Sequence, residues 1–153
     1  MQKILFIFKI QKMKKLILTF TIVGFFMQAQ AQNLRPIDIP LTVTNSFHQA
    51  YPSIQAVWTA DGANFEATYK ADSLNRSVTY NSSGSLIETN TEILEAALPV
   101  AVMDYLNENY KDQEINETSQ ITNANGIVSY ETKIKGMDLT FDSSGKFVKT
   151  VMN

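Results

Sequence analysis

No cysteine occurs in the 153 residues, which excludes disulfides, thiolate metal ligands and a thiol nucleophile. Histidine is nearly absent too: His48 stands alone. A general base needs a nucleophile or positioned carboxylate beside it, and zinc sites draw several His or Cys ligands. No Gly-x-Ser-x-Gly motif supplies such a nucleophile, so His48 reads as a solvated or helix-edge residue. No enzyme activity and no cofactor are expected. The third absence is local. The first 31 residues carry five lysines and no acidic residue.

That segment has the order of a secretory leader. Met13-Lys14-Lys15 forms a charged start, Leu16 to Met27 an apolar run, and Ala29-Gln30-Ala31 a small-x-small cleavage site. Residues 1–31 are therefore predicted to be a signal peptide, with Met13 as a second candidate start, and residues 32–153 the mature protein. Twelve apolar residues reach only ~18 Å as helix against a ~30 Å hydrocarbon core, too short for an anchor. No cysteine follows for a lipid. Cleavage leaves 122 residues and moves the net charge from −2 to −7, because all five leader lysines depart with it. A periplasmic or secreted location is expected, with no membrane association after cleavage. An acidic exported chain is also a poor match for a phosphate backbone, so no nucleic-acid partner is expected.

What is present in the body is self-similarity. Residues 63–89 align without gaps on 124–150, with eight identities over 27 positions. Ile39-Pro40, Val43, Phe47 and Tyr51 align on Leu98-Pro99, Val102, Leu106 and Tyr110 at a shift of 59. Pro40 and Pro99 suit a first helical turn, and Val43, Phe47, Ala50 and Tyr51 form one apolar stripe. Alternation of period two follows: Phe65, Ala67, Tyr69 and Ala71 oppose Asn64, Glu66, Thr68 and Lys70. The later block sets Val128, Tyr130, Thr132 and Ile134 against Ile127, Ser129, Glu131 and Lys133. Asn81-Ser82-Ser83-Gly84 and Asp142-Ser143-Ser144-Gly145 read as hairpin turns, with an Asx side chain accepting from backbone N–H groups and glycine at positive φ. The expected fold class is α+β, a tandem repeat of one helix packed on a roughly four-stranded antiparallel sheet, with units at about 39–93 and 98–153.

The ordered set of Ile39-Pro40, Phe47, Tyr51-Pro52, Trp58, the run from Phe65 to Tyr69, the run from Val78 to Gly84, Leu98-Pro99, Leu106, Tyr110, the run from Tyr130 to Ile134 and the run from Leu139 to Gly145 resembles the β-lactamase-inhibitor-like, PepSY-like family of exported bacterial proteins. The resemblance spans essentially the whole mature chain. It implies an α+β fold and an inhibitory or protein-binding role, and it brings no catalytic residues.

Other chemistry is weaker still. Asp61-Gly62 and Asp142 to Lys146 lack the spaced acidic residues of a calcium loop. Glu92, Glu95, Asp104, Glu108, Asp112, Glu114 and Glu117 read as a solvated acidic stretch around the second helix. Tyr69, Tyr80, Tyr130 and Phe141 read as core, while the facing of Trp58 is open. The expected function is an exported non-catalytic binding protein that contacts another envelope or extracellular protein through a polar sheet face or loops. That face comprises Glu66, Thr68, Lys70, Ser77, Thr79, Ser129, Glu131, Lys133, Asp138 and Thr140. The alternatives are a structural or stress-related envelope factor without a dedicated ligand and, further off, an envelope hydrolase or metal-dependent enzyme.

Overall fold

The computed structural model describes Arg35 and residues 38–153; the expected leader and its cleavage point lie outside the described residues. Helix α1 spans Leu41–Ala50 and α2 spans Val100–Asn109. Pro40 and Pro99 occupy the N-cap positions, with φ of −55° and −54°, where a missing N–H costs no helical hydrogen bond. Proline at position 52 disfavours helical geometry at Tyr51, which leaves the helix at φ −132°. Val43 and Phe47 on α1, and Val102 and Leu106 on α2, are the buried members of each apolar stripe.

Four strands follow each helix: β1 Val57–Asp61, β2 Asn64–Ala71, β3 Leu74–Asn81 and β4 Leu86–Glu92 after α1, then β5 Ile115–Asn123, β6 Val128–Ile134, β7 Met137–Asp142 and β8 Phe147–Met152 after α2. They pair antiparallel in strict chain order within one sheet. This corrects the expectation of an α+β tandem repeat of one helix on a four-stranded sheet: the fold is mostly β, and it contains one eight-stranded sheet. The decisive contact is between β4 and β5, registered from Glu88↔Asn123 to Glu92↔Ser119. The ladder extends at both ends, where Ile93 N–H donates to Thr118 O and Ala124 N–H to Ile87 O. Thr118 Oγ1 adds a 2.6 Å bond to Ile93 O. Neither group of four strands therefore ends in an open edge at this seam.

Both helices lie on one side of the sheet, each over its own apolar cluster. Under α1, Val43 and Phe47 pack with Trp58, Ala67, Tyr69, Val78 and Tyr80. Under α2, Leu98, Val102 and Leu106 pack with Ile134, Leu139 and Phe141. The facing of Trp58 is thus resolved: it is buried, with its ring edge-on to Phe47 at 5.3 Å. Edge-to-face contacts of this kind suit the opposed charge of ring edge and face.

The hairpin turns form as their residues require. Asn81 Oδ1 accepts from the N–H groups of Ser83 and Ser85, each at 3.0 Å, and Asp142 Oδ1 does the same for Ser144 and Lys146 at 2.9 and 3.0 Å. The β2–β3 turn is different. Asp72 and Ser73 both adopt positive φ, 54° and 68°, with no glycine to ease the two-residue turn. Left-handed geometry costs a non-glycine residue roughly 1–2 kcal/mol, and glycine gives back about 0.5–1 kcal/mol in unfolded-state entropy. Ser73→Gly is accordingly expected to raise the unfolding free energy by about 1 kcal/mol, read from urea denaturation midpoints at unchanged slope.

Candidate functional site

The helix-free side of the sheet holds all ten residues of the expected polar face. Register sets them in rows across the strands: Glu66 opposite Thr79, Thr68 opposite Ser77, Glu131 opposite Thr140, and Lys133 opposite Asp138. Lys70 pairs with Asn75 at the end of the β2–β3 hairpin, and Ser129 lies opposite Ile121 of β5. Period-two alternation produces this side directly, because each of these residues is flanked by one that faces the helices.

Four of the ten converge on one depression. Glu66, Thr68, Ser77 and Lys133 line a hollow of about 250 Å³ together with Asn75, Asn90, Glu92 and Glu117. Its walls come from five strands, β2 to β6. The remaining six share this side of the sheet without lining the hollow. Thr79 is buried beneath its neighbours and Lys70 is exposed at the rim.

Glu92 and Glu117 require a correction. The sequence places them in a solvated stretch around the second helix, but they belong to β4 and β5 and line the depression. Asp104 and Glu108 do sit exposed on α2. The sequence signal for the two sheet carboxylates was faint: Glu117-Thr118-Ser119-Gln120 is polar on both faces, so alternation does not say which side points where.

The groups in the depression restrain one another. Glu92 Oε2 accepts from the backbone N–H of Asn75 at 2.8 Å and from its Nδ2 at 2.7 Å. Thr59 Oγ1 donates to Glu66 Oε2 at 3.3 Å. Lys133 Nζ donates to Glu117 Oε1 at 3.2 Å, with both side chains more than a third exposed. Burial works against the Lys133 ammonium, yet the Glu117 carboxylate carries its pKa above the ordinary lysine value. Glu131 is shifted the other way for a carboxylate. Burial, followed by the nearby Asp138 charge, holds its pKa above the usual range.

The sign of the Glu131 contribution follows from linkage. A carboxyl whose folded pKa exceeds its unfolded value of about 4.5 stabilises the fold below that value, and the contribution is lost as pH rises through the folded pKa. Glu131→Gln should remove this loss. Relative to wild type, the variant is expected to gain stability between pH 4.5 and neutrality, measured as the difference in urea midpoint at the two ends of that window. A difference that does not change with pH would show that Glu131 titrates as an ordinary surface carboxyl.

His48 is exposed on α1, on the opposite side of the sheet from the depression. Among the described residues no cluster of three or more His, Asp or Glu side chains is arranged to hold a metal ion, and no helix is long and apolar enough to cross a membrane. What the depression offers is a dense set of donors and acceptors: three carboxylates, one ammonium, and amide and hydroxyl groups. Such a surface suits polar contacts with another macromolecule.

Comparison with known proteins gives three findings. The family model described as "Putative beta-lactamase-inhibitor-like, PepSY-like" matches residues 63–149. No curated protein matches the chain significantly. Among solved structures, one from Bacteroides eggerthii, described as a "putative periplasmic" protein, superposes with a TM-score of 0.68 at 14% identity, covering 74% of this chain and 88% of its own. A BLIP-like protein of Bacteroides fragilis superposes with a TM-score of 0.61 at 20% identity, covering 75% of this chain and 88% of its own. At these identities the structural likeness speaks for the fold alone.

Proposed function

Because this chain belongs to the beta-lactamase-inhibitor-like, PepSY-like family, we propose that it is an exported, non-catalytic protein that binds another envelope or extracellular protein on the helix-free face of its sheet. The observation carrying this reading is the five-strand depression, where Glu66, Glu92, Glu117 and Lys133 present charge beside threonine, serine and asparagine groups. The helices cover only the other side, so this face serves no core. Polar and charged surfaces of this kind confer specificity and speed encounter more than they add raw affinity. Export is supported by the leader-like first 31 residues and by the periplasmic description of the Bacteroides eggerthii neighbour. The inhibitor-like role rests on the family and on the BLIP-like neighbour.

The test is capture from a native envelope fraction by the wild-type protein and by a variant carrying Glu66→Gln, Lys70→Gln, Glu131→Gln and Lys133→Gln. The wild type is expected to retain a partner in a salt-sensitive manner, and the variant to lose at least about 90% of it, in keeping with ~1.4 kcal/mol per tenfold change in binding. Equal capture by a variant with an unchanged melting curve removes this face as the docking surface.

A further inference from the structure

The sheet runs from β1 to β8 without closing, so among the described residues each of these two strands has one neighbour in the sheet and one outward edge. An open edge accepts another strand, and natural proteins commonly blunt it with proline, charge or a covering element. Neither Val57–Asp61 nor Phe147–Met152 contains proline, and Lys149 is the one charge in β8. Every residue of β8 after Phe147 is exposed. Val151 is 46% exposed, and Val57 on β1 is 55% exposed.

The molecule already contains a template for filling these edges. β8 lies on β7 in the register by which β4 lies on β3: Thr79↔Glu88 and Val78↔Thr89 have their counterparts in Thr140↔Lys149 and Leu139↔Thr150. β1 lies on β2 as β5 lies on β6, with Trp58↔Ala67 matching Thr122↔Val128. The two free edges are thus the counterparts of β4 and β5, which are joined at the internal seam by Thr89↔Thr122, Asn90↔Ile121 and Thr91↔Gln120. That register carried to the free edges sets Thr150 opposite Trp58 of a second copy, Val151 opposite its Val57 and Met152 opposite its Ala56.

The backbone phase agrees. Asn153 N–H is directed inward to Gly136 O, so by alternation Met152 and Thr150 direct theirs outward. On β1, Asp61↔Asn64 closes a two-residue turn and bonds inward, which leaves Ala60 and Trp58 with outward backbone groups. At the seam Ala124 N–H donates to Ile87 O, and the corresponding groups are Ala60 N–H and Val148 O. The side chains agree as well. Val57 is registered with Thr68 and Val151 with Asp138, so both valines stand on the helix-free side and would cover each other. Lys149 meets no like charge, because it falls opposite Thr59, whose hydroxyl donates to Glu66.

We propose that copies of this chain associate edge to edge, β8 of one on β1 of the next, in the register of the internal β4–β5 seam. The contact is heterologous, so each added copy leaves one β1 and one β8 edge free, and assembly continues as an open run or closes as a ring. It uses the sheet edges and not the depression, and it stands independently of the function proposed above.

The absence of cysteine makes the register directly testable. Val57→Cys and Val151→Cys each place one thiol at an exposed position. In the proposed register they form a pair without backbone hydrogen bonds, where Cα atoms stand about 4.5 Å apart, within disulfide range. When the two variants are mixed and oxidised, peptide mass spectrometry is expected to find the 57–151 cross-link in excess over 57–57 and 151–151. Sedimentation of the wild type should show an average mass that rises with concentration. Thr150→Pro removes an outward N–H and spares the bonds to β7, so it should raise the concentration needed for association at least about tenfold. Should that variant fail to fold, Val151→Lys, at an exposed position, is expected to give the same loss. A wild type that stays monomeric at about 1 mM, like-with-like cross-links in equal or greater yield, or undiminished association of the folded variants overturns the proposal.

Discussion

Replacing Phe141 with alanine is expected to lower the unfolding free energy by about 3–5 kcal/mol, the range typical of emptying a fully buried aromatic site. Phe141 is 0% exposed and lies at the centre of the α2 cluster. Its ring meets those of Tyr105 and Phe147 edge-on, at 5.5 and 5.9 Å, so truncation removes two aromatic contacts along with the buried area. Tyr105 and Phe147 stack on each other at 4.8 Å and 5°, and that pair limits how far the site can collapse into the space. A typical domain holds 5–15 kcal/mol in all, so the variant keeps only part of its margin. Phe47→Ala, on the α1 side, should cost a similar amount. Because one ladder runs through all eight strands, each substitution is expected to shift the same single thermal transition, with fluorescence of Trp58 and far-ultraviolet dichroism melting together. Two separate transitions would mean that the β4–β5 seam does not couple the halves.

Gly84→Ala is the second large effect, expected at about 2–4 kcal/mol. Gly84 has φ +81°, where an L side chain costs roughly 1–2 kcal/mol. The larger difficulty is space. A Cβ there would stand 2.5 Å from the backbone oxygen of Thr42 and 2.7 Å from Ser46 Oγ, so α1 would have to lift off the β3–β4 turn. Thr42 Oγ1 also donates to Ser82 O at 3.0 Å, and that bond would be strained by the same movement. Overpacking of this kind adds typically 1–3 kcal/mol. Gly145→Ala offers the control. Its φ is +85°, but the nearest atoms are carbons of Ala101, Pro99 and Val102 at 3.1 to 3.2 Å, so the neighbours need give only a few tenths of an ångström. Chemical denaturation of the two variants should rank Gly84→Ala as the more damaging. The reverse order would show that backbone conformation, and not the helix contact, governs the turn.

The elements that could be read in advance are those whose determinants lie within a few residues of one another. Pro40 and Pro99 with the stripes behind them specify both helices, and Asn81 and Asp142 specify their turns. Alternation around Ala67, Tyr69, Leu139 and Phe141 assigns the sides of β2 and β7, and so the sides of Glu66, Lys70, Asp138 and Thr140. Helix stripe, strand alternation and turn chemistry are local periodicities, and they survive without knowledge of the partner strand.

The β4–β5 pairing was not legible because its two strands are separated by a connection that contains a short 3₁₀ turn at Glu95–Ala97 and the whole of α2. Long-range adjacency leaves no local pattern, and apart from Ile121 the registered seam is built from Thr, Asn, Gln, Ser and Glu on both faces. For the same reason the sequence alone does not separate Glu92 of β4 and Glu117 of β5 from the acidic residues of the α2 surface.

By itself, then, the sequence determined two proline-led helices, most strand faces, the Asx hairpins, the leader-like start, and a body too poor in histidine and cysteine for thiol or multi-histidine zinc chemistry. Only the tertiary structure decided that the strands form one continuous sheet and that the depression spans β2 to β6. These depend on which backbones hydrogen-bond across long stretches of chain and on what each side chain meets there, and both are properties of assembled neighbours.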